Sequence, residues 1–321
     1  MIYSKKKYFL MNKYFVILIL LILILFIISV KIFSKPKKNQ AKHGKTMSSE
    51  NIKICICTLG KKENKYIREF VQHYEKYDVD KIYLYDNNEL EGERFEEVIN
   101  DYIQKGFVEI INWRGITKGI YKVLNNCYKS NYEKYDWLIF YELDEFINLH
   151  NYTSIKKFLK EKKFKDCQII YLNSVCHTDN NKLYYENKSL HERFPEIIKA
   201  KRLEIKSIIR GHIPKLIINR LHTLNDYLKN CNGFGNKNKI VKIYAREPDY
   251  KYYYIDHYYC KSTEEFINKI KRGDLYKNTF DYIMHKINKY FTQSKLTKEK
   301  IELIENRTSF NLSYFKKKIK K

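Results

Sequence analysis

From residue 52 onward, short apolar runs alternate with amphipathic stretches. Ile52 to Leu59 predicts a strand, and Tyr66, Ile67, Phe70, Val71 and Tyr74 recur at the spacing of one helix face. Ile82 to Tyr85 predicts a second strand, ending in Asp86-Asn87-Asn88. Phe95, Val98, Ile99, Tyr102 and Ile103 then mark a second helix, Phe107 to Ile111 a third strand, and Ile120, Val123, Leu124, Cys127 and Tyr128 a third helix. Such alternation predicts an α/β domain, with a mostly parallel sheet, right-handed crossovers and flanking helices.

The next run, Trp137-Leu138-Ile139-Phe140-Tyr141-Glu142-Leu143-Asp144-Glu145-Phe146, is the chemically unusual one. Its composition suits a strand buried on both faces, yet three carboxylates stand at its end. Buried carboxylates need a metal ion or a paired cation. In open α/β sheets, the strand C-termini are where ligands bind. On the pattern alone, a solvated turn after a core strand accounts for it equally well.

Beyond this run the alternation weakens. Ile155, Phe158 and Leu159 predict a helix and Gln168 to Leu172 a strand. Residues 174–240 are irregular and rich in His, Asp and Glu, as suits loops that hold a substrate. Tyr252 to Tyr259 predicts an aromatic strand containing Asp256 and His257. Ser262-Thr263-Glu264-Glu265 predicts a capping box that opens a helix with Phe266, Ile267 and Ile270 inward.

The N-terminal region follows a different pattern. A basic tail at 1–14 precedes an apolar run, Phe15 to Val30, that covers roughly 24 Å as a helix. With Ile32 and Phe33 it predicts an uncleaved membrane anchor over 15–33, followed by a polar stem at 34–49. The α/β domain is expected over 50–290, and a basic helical tail over 291–321.

Composition changes this picture little. The formal net charge is +25, but only ten of the 62 basic residues are Arg and no nucleic-acid motif is present, so no specific nucleic-acid partner is expected. Seven cysteines, an odd number without metal-ligand spacing, predict no disulfide framework; Cys55 and Cys57 read as small core residues.

Five segments in order resemble glycosyltransferase family 92 and its family-2-like relatives. They are Glu63-Asn64-Lys65-Tyr66-Ile67-Arg68-Glu69-Phe70, Val79 to Asn88, Tyr141 to Phe146, Lys206 to Arg210, and Asp256-His257-Tyr258 with Lys261 to Phe266. The resemblance implies a GT-A fold, a Rossmann-like nucleotide-diphospho-sugar transferase, and a UDP-sugar donor. It further implies Mn²⁺ or Mg²⁺, a glycan acceptor and inversion at the anomeric carbon. With the anchor, it implies a single-pass type II membrane protein, in the secretory pathway if the cell is eukaryotic.

Residue by residue, it implies Asp144 as metal ligand, Glu142 touching the metal or the donor ribose, and His257 as a third ligand. Thr58, Glu63 and Asp86 would lie at uracil and ribose, and Lys206 and Arg210 at the diphosphate. Asp179, Glu192 and Glu145 are the candidates for general base. Glu142 stands where the family pattern has Asp. That departure motivates a second reading, a relative that binds nucleotide or glycan without turnover. The net charge motivates a third, a basic polyanion binder.

Overall fold

The computed structural model describes residues 51–116, 120–200, 203–218, 227–237, 249–273 and 279–319, with the backbone of 244–245. The chain divides into two units, Met1–Thr46 and Met47–Lys321, and every described residue falls in the second. The tail, anchor and stem predicted at 1–49 lie outside the described residues. Among those described, no helix is long and apolar enough to cross a membrane.

The chain runs β1 (Ile54–Gly60), α1 (Asn64–Lys76), β2 (Lys81–Asp86), α2 (Glu96–Gln104), β3 (Val108–Asn112), α3 (Ile120–Asn131), β4 (Trp137–Phe140) and β5 (Glu145–Leu149). It continues with α4 (Ile155–Leu159), β6 (Ile169–Cys176), α5 (Leu190–Arg193), β7 (Leu203–Arg210), β8 (Asn230–Asn232), β9 (Tyr244–Ala245) and β10 (Tyr253–His257). Four helices close it: α6 (Thr263–Lys271), α7 (Phe280–Gln293), α8 (Lys298–Arg307) and α9 (Ser313–Ile319). The sheet order is β3-β2-β1-β4-β7-β6-β10-β5, with β8 beside β6 and β9 beside β7.

The first half is parallel as the alternation predicts: β1 pairs in parallel with β2 and β4, and β2 with β3. The second half is mixed. β7 runs antiparallel to β4 and β6, and β5 antiparallel to β10, whereas β6 and β10 are parallel.

Strand alternation sorts β1 between two cores. Ile54 and Ile56 join the α1 face, with Phe70, Tyr74, Trp137 and Ile208, while Cys55 and Cys57 join the α3 face with Leu124 and Phe140. Truncating a fully buried side chain such as Phe70 costs about 3–5 kcal/mol. A third core joins Phe266 and Ile270 of α6 to Tyr290 of α7, Ile301 and Ile304 of α8, and Leu312 and Phe315. The described part of the stretch 291–321, which its composition sets apart as a tail, thus buries apolar side chains against α6.

Cysteine chemistry differs from the expectation. Cys57 bonds to Cys127 and Cys167 to Cys231, leaving Cys55, Cys176 and Cys260 free. An odd total did not exclude two bonds, because their spacings of 70 and 64 residues carry no local signature.

Candidate active site

The site is built on a change of direction. β4 stops at Phe140, and residues 141–144 turn the chain into β5, so the predicted single strand is two. The Glu145 amide donates to the Glu142 carbonyl (3.0 Å), and the Glu145 carboxylate accepts from the Glu142 amide (3.0 Å). Behind the turn, the Tyr74 hydroxyl donates to the Glu145 carbonyl at 2.8 Å. A Cβ at Gly60 would lie 2.6 Å from Phe95 and 2.8 Å from Leu143, so β1 approaches the turn this closely only with glycine there. The Tyr258 amide donates to the Asp144 carbonyl at 2.9 Å, tying the turn to the end of β10.

Asp144 is 5 % exposed, and three groups converge on its carboxylate. Lys269 Nζ lies 2.9 Å from Oδ2, Lys261 Nζ 4.0 Å from Oδ2, and His257 Nε2 3.6 Å from Oδ1. The other ring nitrogen of His257 is 3.1 Å from Ser174 Oγ. That arrangement matches a metal-binding imidazole, one nitrogen oriented by a hydrogen bond and the other turned toward a carboxylate. Burial lowers the His257 pKa to about 4 against the pull of Asp144, so the ring is neutral at pH 7, as ligation requires. Burial alone would raise the Asp144 carboxyl; Lys269 foremost, with His257 and Lys261, outweighs it and holds it well below the ordinary value.

A second carboxylate pair stands beside this one. Lys206 is buried, its Nζ 2.9 Å from Glu142 Oε2 and 2.5 Å from Glu145 Oε1. Lys206 lowers the Glu142 pKa to about 2, whereas burial raises that of Glu145 to about 8 despite Lys206. Ligand atoms of Glu142, Glu145 and His257 lie within 4.8 Å of one another, a second arrangement able to hold an ion. There Lys206 already supplies positive charge, whereas Asp144 Oδ1 and His257 Nε2 face each other without a direct hydrogen bond. Carboxylate donors suit Mn²⁺ or Mg²⁺.

Toward β1, Glu63 is gripped by Arg272 at Oε1, with Lys261 Nζ 3.6 Å from Oε2. Its side chain makes no cap bond to α1. Lys261 also lies over the Tyr66 ring at 3.6 Å. Thr58 Oγ1 and Glu63 Oε2 are buried without a hydrogen-bond partner among the described residues. Such orphan acceptors point to a ligand or water at this edge. Asp86 is buried and occupied: Arg114 lies 2.7 Å from Oδ2, and Asn88 donates twice to Oδ1 (3.0 and 2.7 Å). It therefore organises the β2 and β3 tips rather than presenting a free carboxylate.

Three predicted residues lie in other settings, and a fourth, Glu145, is walled in within the turn. Arg210 pairs opposite Trp137, at the far edge of the sheet from Asp144, because β7 runs antiparallel to β4. Its guanidinium donates to the carbonyls of Cys167 and Phe164, so a diphosphate at Asp144 is out of its reach. Asp179 is locked to Lys300 at 2.6 Å, both side chains 1 % exposed. Glu192 closes a capping box with Ser189. Glu145 is fully buried against the turn. Asp179 and Glu145 are therefore closed to an acceptor proton, while Glu192 is exposed and serves as the cap of α5.

The cations that converge on the site, Lys261, Lys269 and Arg272, carry no motif that marks their role. Lys269 and Arg272 are spaced like surface residues of an ordinary helix, and only the packing of α6 against the turn turns them inward.

A glycosyltransferase family 92 protein of rice, Oryza sativa subsp. japonica, is 25 % identical over 126 residues, 39 % of this chain and 21 % of that protein. The aligned part thus spans about a fifth of that relative's length. Among solved structures, S. aureus TarS 1-349 in complex with UDP-GlcNAc gives a TM-score of 0.36 at 13 % identity, covering 82 % of this chain and 80 % of that one. HddC from Yersinia pseudotuberculosis gives 0.28 at 14 % identity, covering 50 % and 74 %. TM-scores of this size mark distant likenesses. The family description Glycosyltransferase family 92 matches residues 50–309, and the chain belongs to glycosyltransferase family 92.

Proposed function

We propose that this enzyme, with a GT-A arrangement, transfers a hexose from a UDP-sugar to a glycan hydroxyl in one inverting displacement, galactose being the first donor to test. The observation that carries the reading is the 3.6 Å approach of His257 Nε2 to Asp144 Oδ1 at the sheet edge, backed by Lys269 and Lys261. Asp144 and His257 would hold Mn²⁺ or Mg²⁺, with Glu142 beside them touching the ion through water or the donor ribose. A bound ion supplies Lewis-acid neutralisation of the departing diphosphate. Lys261, Lys269 and Arg272 add fixed positive charge where that charge develops. Thr58 and Glu63 offer their unpartnered oxygens to the nucleoside.

We further propose that residues 15–33 anchor the protein as a type II membrane protein. The two disulfides suit the oxidising side of that membrane.

A thermal-shift panel of UDP-sugars with and without Mn²⁺ tests the reading. One donor should raise the melting temperature in a metal-dependent way, because a ligand of the folded state stabilises it. Asp144→Ala should lose both that shift and turnover. Full activity in this variant, or no response to any donor, would sink the assignment.

A further inference from the structure

A displacement at the anomeric carbon needs a group that takes the acceptor proton; of the three carboxylates singled out by sequence, Asp179 and Glu145 are buried in ion pairs and Glu192 caps α5. Asp256 does not serve either: it accepts from Asn148 (3.1 Å) and pairs with His177 (2.7 Å) on the opposite face of β10 from His257. Glu63 is held on the nucleoside side by Arg272.

Glu204 is differently placed. It is two residues before Lys206 on β7, so the two side chains leave the same face of the sheet, roughly 7 Å apart along the strand. The register Ile139↔Ile208, carried along β7, sets Glu204 level with the turn that holds Asp144. Its side chain is 27 % exposed, in contrast to the buried Glu145.

Contacts link it back to the site. Lys289 Nζ is 3.6 Å from Glu204 Oε1 and 4.5 Å from the centre of the Tyr259 ring. The other ammonium over that ring is Lys269, at 4.4 Å, the same group that pairs with Asp144. From the other direction, Cys176 Sγ is 3.9 Å from His257 Nδ1. The register Asn173↔Ile205 between β6 and β7, carried one residue on, sets Glu204 level with Ser174, whose Oγ is 3.1 Å from the same nitrogen. Asp144, Lys269, Tyr259, Lys289 and Glu204 thus form one run of contacts, from the charge at Asp144 to a carboxylate that solvent reaches.

We propose that Glu204 is the general base of the transfer and that Lys289 positions it. The acceptor O–H gives its proton to a Glu204 carboxylate oxygen, and the freed oxygen pair forms the new bond to C1. The bond from C1 to the diphosphate oxygen breaks, its electron pair leaving on that oxygen beside Lys269. This assignment rests on the transferase reading above.

The test uses the full chain in detergent with Mn²⁺ and UDP-galactose, or whichever UDP-sugar of the panel raises the melting temperature. UDP release is measured with water alone and with added sodium azide, a nucleophile that has no proton to lose. Glu204→Gln should keep the donor-dependent melting shift while UDP release to water falls about 10²- to 10⁴-fold. Glu204→Ala should regain release with azide and yield a glycosyl azide. Release in Glu204→Gln within about twofold of the wild type, loss of the donor shift with it, or no azide response in Glu204→Ala overturns the assignment. A wild-type protein that neither binds nor turns over any UDP-sugar removes the transferase reading itself, which is a distinguishable result.

Discussion

Asp144 and Asp179 are both buried aspartates attended by a lysine, yet they are finished differently. Asp179 has its oxygens taken by Lys300 (2.6 Å), the Tyr290 hydroxyl (2.7 Å) and the Asn181 amide (3.0 Å). Lys300 in turn donates to the Lys295 carbonyl and to Asn181, so the lock closes on itself and fastens α7 and α8 to the sheet domain. Around Asp144 only one group closes: Lys269 bonds to Oδ2 at 2.9 Å, whereas His257 stops at 3.6 Å, Lys261 at 4.0 Å, and Glu63 nearby keeps an oxygen without a hydrogen bond. A saturated buried ion pair fixes structure, whereas an unsaturated one leaves room for a charged ligand.

The sharpest way to break this contrast is to remove each carboxylate. Asp179→Ala leaves the Lys300 ammonium buried and unpaired, and should cost about 3–5 kcal/mol in urea unfolding. Adding Lys300→Met should restore most of that loss. Asp144→Ala should do the reverse, lowering transfer by at least about 10²- to 10³-fold with little loss of stability, because fewer satisfied contacts are given up. Equal stability losses at the two sites would erase the distinction.

A smaller effect is expected at Lys206, which lies between the two cases. Its ammonium is buried like that of Lys300, but its partners differ in kind. Glu142 is 46 % exposed and can be hydrated, and Glu145, pushed up to about 8 by burial, can take up a proton. Lys206→Met should therefore cost only roughly 1–3 kcal/mol in urea unfolding. A loss as large as that of Asp179→Ala would mean that neither carboxylate has this escape.

The same contrast explains what was legible in the sequence. The first three crossovers carried clean periodicity, and α1 buries Tyr66, Ile67, Phe70, Val71 and Tyr74 as that pattern predicts. The capping box at Ser262 was equally local and is present. Asp144, Glu142 and His257 could be grouped only through the family resemblance, since β10 arrives more than a hundred residues after β4. What stayed hidden depends on strand direction and helix docking. Arg210 looked like a neighbour of Lys206, but the antiparallel course of β7 sends it to the opposite edge. Asp179 looked available because nothing local reveals Lys300, whereas Ser189-Leu190-His191-Glu192 has the spacing of a capping box and its helix start was a local signal missed. Lys269 and Arg272 face the site only because α6 packs there.

The smallest expected effect concerns protons. Burial depresses the His257 pKa from its ordinary 6.5 to about 4. Between these values the unfolded chain holds the extra proton, so this residue makes stability rise with pH, fully by pH 6.5, and the gain is lost as pH falls toward 4. The slope from one such group is at most about 1.4 kcal/mol per pH unit. Glu145 works the other way: its carboxyl moves from 4.5 to about 8, so from 4.5 upward the folded state holds the extra proton and stability falls. The two partly cancel in the wild type, and a variant is needed to separate them. Urea unfolding of His257→Asn across pH 4 to 6.5 should lose the rising component and give a curve that falls with pH. Ile301→Val, in the core that the Asp179 lock fastens down, should instead lower the whole curve by about 0.5–1.5 kcal/mol without changing its slope. A His257→Asn curve parallel to the wild type would mean that the imidazole is not held neutral by burial, and the proposed pairing of His257 with Asp144 around a metal ion would lose its physical basis.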